Sequence, residues 1–99
     1  MHVTVRHYEG VTDTAEVVRQ IKEEGFVEDV LRQAPGFVNY NVVDAGGGTL
    51  VTISVYEDQS GAEESNRRAA EWIQQHDLGS LVPNQPQTTV GEVVVHERA

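Results

Sequence analysis

The sequence predicts an α+β fold, a ferredoxin-like β-α-β-β-α-β sandwich with an antiparallel four-stranded sheet. Three observations predict it. Four stretches carry the alternation or β-branched enrichment of strands, two others open on helix-cap residues, and three consecutive glycines join the middle strands. Each helix of that order must return the chain across one sheet face, which leaves few compact solutions. Ninety-nine residues suit one domain, spanning 1–99, with a single small core.

The first strand is read over His2–Glu9, where Val3 and Val5 alternate with Thr4, Arg6 and Tyr8. Asp13 then stands three residues before Glu16, so a helix is expected to start there. Val17, Val18, Ile21, Val27, Val30 and Leu31 continue at near-helical spacing, with Gly25 predicting a kink or break and Pro35-Gly36 the end. Strands two and three are expected at Phe37–Asp44 and Thr49–Glu57. Ser60 and Glu63 read as a capping box opening a second helix that runs to about Leu78, where Gly79 stops it. The fourth strand is read over Thr88–Glu97.

Gly46-Gly47-Gly48 invites comparison with a phosphate cradle. Such a loop needs its amides at a helix N-terminus, usually with Lys or Ser/Thr at a fixed spacing, and here a strand follows instead. The glycines are therefore expected to form a hairpin turn.

Helices on one side of the sheet leave the other side wet or covered by a partner. Thr49, Val51, Ile53 and Val55 alternate with Leu50, Thr52, Ser54 and Tyr56, and strand four carries Val93-Val94-Val95 in succession. These patterns predict a homodimer with two sheets face to face.

Sixteen acidic residues against seven basic ones give a formal charge of −9, which argues against nucleic acid and anionic membrane surfaces as partners. The absence of cysteine excludes disulfides and thiolate chemistry, and no stretch has the length and apolarity of a membrane span. A cytoplasmic protein is expected. His2, His7, His76 and His96 lack close metal-ligand spacing, so no metal site is expected, although paired first and fourth strands would bring His7 towards His96.

Candidate chemistry lies elsewhere. On the second helix Asn66 falls among core-facing positions, either tying a strand in place or facing a pocket, and Trp72 is either core packing or a cavity wall. Glu63, Glu64, Arg67, Arg68 and Glu71 read as a solvated, ion-paired face. Arg6, Tyr8, Asn39, Tyr40, Asn41 and Tyr56 are polar or aromatic strand residues able to converge on a cavity or to border a dimer interface.

The segments PGFVNYNVVDAGGGTLVTISVYED, GAEESNRRAAEWI and GEVVVHE together resemble small bacterial proteins related to the antibiotic biosynthesis monooxygenases, of the dimeric α/β-barrel group. The resemblance implies ferredoxin-like protomers paired sheet to sheet. It further implies oxidation of a small aromatic or phenolic substrate by oxygen without a cofactor, with Asn66, Trp72 and Asn39 as catalytic groups and Arg6, Tyr8, Tyr56 and His76 as substrate-binding groups. A non-catalytic dimeric module that binds a small hydrophobic ligand or a protein partner is the alternative.

Overall fold

The computed structural model describes residues 1–99 and carries the element order β1 (His2–Tyr8), α1 (Thr14–Glu23), a π-helical turn (Val27–Leu31), β2 (Phe37–Gly46), β3 (Thr49–Tyr56), α2 (Gln59–Gln75), a 3₁₀ turn (Leu78–Ser80) and β4 (Gln87–Glu92). The strands form one sheet in the order β2-β3-β1-β4 with every neighbouring pair antiparallel. This is the ferredoxin-like arrangement.

Asp13 caps α1 as expected, its carboxylate accepting the Glu16 N–H at 3.1 Å. The helix breaks at Gly25, whose φ of +77° lies in the left-handed region, and the chain resumes in the short turn at Val27.

The cap of α2 departs from the expected capping box. Asp58, not Ser60, supplies the acceptor, taking the Gly61 N–H at 3.1 Å, while the Ser60 hydroxyl donates to the same carboxylate at 2.7 Å. A carboxylate at a helix N-terminus meets both the orphan amides and the positive end of the helix dipole, so aspartate outcompetes the serine two residues on. Helix α2 also ends at Gln75, short of Leu78, because Asp77 adopts φ +53° and turns the chain before Gly79 is reached. At the start of α2, a β-carbon on Gly61 would stand 2.1 Å from the Pro35 carbonyl oxygen, so only glycine permits this close approach.

The glycine run is a hairpin turn. Gly46 pairs with Thr49, and Gly47 and Gly48 have φ of +62° and +82°, the pair of positive angles that a two-residue turn between twisted strands requires.

Strand β4 ends at Glu92, five residues before the expected boundary. It pairs with β1 alone, the Val93 N–H to Met1 carbonyl bond is the last rung, and Val94 and Val95 beyond it are 87% and 76% exposed. The valine run is therefore not a doubly covered strand within the protomer. Nor do His7 and His96 meet: His7 faces Gln87 in the register, at the opposite end of β1 from the tail.

The main core lies between sheet and helices: Phe26, Val30, Leu31, Ala69, Trp72 and Leu78 form one cluster, and Val11, Val17 and Leu50 a second. Tyr56 belongs to a third with Ala34 and Ala62. No helix is long and apolar enough to cross a membrane.

Candidate functional site

Three elements enclose a cleft on the helix side of the sheet. Strand β1 contributes Arg6 and Tyr8, helix α2 contributes Asn66, Ala69 and Ile73, and the Pro-rich segment from Val82 to Pro86 closes the third wall around about 330 Å³. Pro83 and Pro86 hold that segment irregular, and the Asn84 side chain donates to the Glu9 carbonyl at 3.1 Å, fastening it to the end of β1.

Behind the cleft lies a smaller, more enclosed cavity of about 50 Å³, sharing Tyr8, Ile73 and Val82 as walls with it. Its lining is apolar apart from Tyr8, Tyr40, Thr52 and Trp72. That volume holds a water molecule but not a benzene-sized ring, for which about 150 Å³ is needed. A broader groove of about 750 Å³ between α1 and β2 reaches the same cavity through Ile21 and Tyr40. Arg19 and Glu23 there pair with each other at 2.7 Å, while Lys22 and Asp44 line the same groove without an ion pair.

The polar groups around the inner cavity are incompletely satisfied. Trp72 is only 5% exposed, its indole is held edge-on by Phe26 at 4.8 Å, and its Nε1–H has no hydrogen-bond partner within the protein. Leaving a buried donor unpaired costs about 1–3 kcal/mol. Asn66 donates to Thr4 Oγ1 at 3.4 Å, a long contact, while its Oδ1 is buried without a partner. Asn66 thus ties α2 to β1 and also lines the cleft.

Burial pushes the phenols of Tyr8 and Tyr40 above their ordinary pKa. Desolvation is the larger cause in both, and the Arg6 guanidinium opposes it in both. Both phenols are therefore neutral at neutral pH and act there as hydrogen-bond donors. Tyr40, one of the strand residues expected to converge on a cavity, and Thr52, which the sequence pattern did not single out, complete the cavity. The signal for Tyr40 was strand alternation, which sets it opposite Asn39 and Asn41.

The remaining sequence candidates fall elsewhere. Asn39 lies opposite Val55, which in turn lies opposite Val3, so it sits on the open face of the sheet, away from Asn66 and Trp72. A β-bulge between Phe37 and Asn39 separates these two residues onto opposite faces despite their even spacing. Tyr56 has no exposed surface and donates its hydroxyl to the Leu31 carbonyl at 2.7 Å, a packing role that keeps it out of the cleft. His76 stacks on the outer side of Trp72 at 4.2 Å with Nδ1 3.0 Å from the Trp72 carbonyl oxygen, and lines a separate polar hollow with Glu24, Asp29 and Glu71. No group of three or more His, Asp or Glu side chains is arranged to hold a metal ion.

No family model matches the chain, and no curated protein does either. Solved structures do match over nearly its whole length. A monooxygenase of Streptomyces coelicolor, in complex with nanaomycin D, superposes with a TM-score of 0.72 at 18% identity, covering 99% of this chain and 91% of that one. The chain has the fold of the antibiotic biosynthesis monooxygenases. SnoaB of Streptomyces nogalater, a cofactor-independent oxygenase, matches at TM-score 0.69 and 12% identity over 96% of this chain and 94% of its own. A dimeric ferredoxin-like protein from an uncultured marine organism matches at TM-score 0.70 and 15% identity over the full length of both. Identities this low establish the monooxygenase-like fold and leave chemistry to the residues themselves.

Proposed function

We propose that the protein is a homodimeric, cofactor-independent monooxygenase-like enzyme acting on a small aromatic or phenolic substrate in the cleft between sheet and helices. The observation that carries this reading is the unpartnered Trp72 N–H beside a cavity that also holds the neutral phenols of Tyr8 and Tyr40. Donors set in a low-dielectric pocket stabilise negative charge that develops on a substrate oxygen. The activities of the two Streptomyces oxygenases of the same fold lend the reading support.

The donor set suits a reaction in which negative charge develops on a substrate oxygen, as in the oxygenation that the monooxygenase-like fold suggests. An activated methylene between aromatic rings, once it loses a proton to become an enolate-like anion, reacts with dioxygen. The CH₂ group becomes C=O, one oxygen atom is retained and the other leaves as water. The substrate supplies all four electrons, so the protein's part is to hold the ring and stabilise the anion. Tyr8, on the wall shared by cleft and inner cavity, Trp72 and Tyr40 serve as donors to a substrate oxygen that enters the inner cavity while the ring stays in the cleft. The buried, unpartnered Asn66 Oδ1 accepts from a substrate hydroxyl.

Oxygen uptake with a panel of anthrones and quinols tests the proposal. Uptake in the wild type, falling about 10²-fold in Trp72→Phe with little change in melting temperature, is the expected result. Absent uptake across the panel, with Trp72→Phe altering stability alone, sinks it. The small volume of the inner cavity favours one second reading, a non-catalytic module binding a hydrophobic molecule in the outer cleft alone. In that case the panel compounds bind without consuming oxygen.

A further inference from the structure

We propose that the ligand of the cleft carries a carboxylate, held by Arg6, so that the site selects aromatic acids over neutral aromatics. This rests on the reading of the cleft as a ligand site and specifies what enters it.

The argument begins with the cations. Arg19 pairs with Glu16 and Glu23, Arg32 with Glu28, and Arg67 and Arg68 with Glu64. Lys22 and Arg98 are exposed to water. Arg6 alone is half-buried and without a carboxylate or hydrogen-bond partner for its side chain, on the helix-facing side of β1. A chain with 16 acidic residues had every opportunity to supply one.

The walls of the cleft show the same selection. Twelve residues line it and none is Asp or Glu, whereas carboxamides recur at Asn66, Gln74, Asn84 and Gln85. The cleft is therefore a locally positive, donor-bearing hollow in a protein of charge −9. The field of Arg6 also reaches the phenols of Tyr8 and Tyr40, where it favours negative charge.

Carboxylate is the anion that fits these walls. A planar guanidinium takes a carboxylate by two parallel N–H···O bonds, and one positive charge matches a monoanion. A phosphate dianion generally finds several cations or a helix N-terminus, and the part of α2 lining this cleft, Asn66–Gln74, lies well beyond the helix start at Gln59. With the acid on Arg6, the shared wall of Tyr8, Ile73 and Val82 receives the ring and directs it towards the inner cavity.

Titration calorimetry with 2-naphthoate, the neutral isostere 2-naphthamide and 2-naphthyl phosphate tests the inference. The wild type is expected to bind naphthoate roughly tenfold or more tightly than the amide, as a hydrogen-bonded charge pair would give. Arg6→Gln should erase that preference, and Arg6→Lys should restore part of it. A measurement on the wild type stands independent of folding in the variants: raising salt from about 0.05 to 0.5 M should weaken naphthoate binding and spare the amide. Equal binding of acid and amide, a preference that survives Arg6→Gln, or tighter binding of the phosphate overturns the carboxylate assignment while the ligand site stands. Failure of all three probes to bind overturns both.

Discussion

The two faces of the sheet differ in the opposite sense from a simple inside-outside rule. The face covered by helices carries Thr4, Arg6, Tyr8, Tyr40, Thr52, Ser54 and Tyr56, a polar set for an interior. The uncovered face sets Val3 against Val55, Val5 against Ile53 and Val43 against Val51 in cross-strand pairs, with Asn39, Asn41 and His7 at its polar positions. Hydroxyls and phenols under the helices make a poor filling for a core but can line a cleft. Branched aliphatics facing outward make a poor surface but a good interface. The contrast sets the covered face apart as the side of the cleft and makes the open face the surface to test for contact with a second copy; two structurally similar proteins of this fold are dimeric.

The largest expected effect breaks that division from the outside. Ile53→Asp places a carboxylate in the middle of the aliphatic face, and burying an unpaired charge costs several kcal/mol. The dimer dissociation constant should rise at least about 100-fold, leaving a 10.9 kDa species in sedimentation at micromolar concentration. Thr52→Val, one residue away on the helix side, should leave association unchanged. A wild type that sediments as a monomer, or an Ile53→Asp protein that still dimerises, removes the assignment of the open face.

Strand register keeps the two faces distinct, and the hairpin sets the register. A slip of one residue would turn Val51, Ile53 and Val55 towards the helices and Leu50 and Thr52 outward. Gly48→Val forces a β-branched residue into φ +82° and sets its β-carbon 3.0 Å from the Val11 carbonyl oxygen. Gly47→Val, at φ +62°, meets only the backbone strain. Thermal unfolding should show a loss of about 2 kcal/mol for Gly48→Val, on the order of 10 °C, and a smaller loss for Gly47→Val. Unchanged melting temperatures would remove the hairpin's role in fixing the faces.

The fold was legible because its signals are local. Asp13 with Glu16, the break at Gly25 and the glycine hairpin each act within a few residues, and strand alternation gave the two faces of β3. What was not legible depended on neighbours distant in sequence. The three valines after Glu92 have the composition of a strand, yet the β1 ladder ends beside them. Asn39 shares residue type with Asn66 but sits across the sheet, as its adjacency to Tyr40 already implied. Tyr56 has the chemistry of a ligand group and spends it on the Leu31 carbonyl. Arg6 matters for the carboxylates missing around it, a property of the folded walls that no linear pattern records.

The smallest effect comes from protons on the covered face. Burial raises the phenol pKa of Tyr8, Tyr40 and Tyr56 above the ordinary 10.0, so above pH 10 the folded protein binds more protons than the unfolded chain. Stability contributed by these neutral phenols is present below pH 10 and falls as pH rises through the folded-state values, by up to about 1.4 kcal/mol per pH unit for each phenol. Urea midpoints should therefore be flat from pH 8 to about 9.5 and drop towards pH 11. Tyr40→Phe should make that drop shallower, because its phenol is held neutral by burial among groups that include Tyr8. An alkaline slope unchanged by Tyr40→Phe would mean that the covered face does not hold Tyr40 buried and neutral, and with that the donor set of the cleft would lose one of its members.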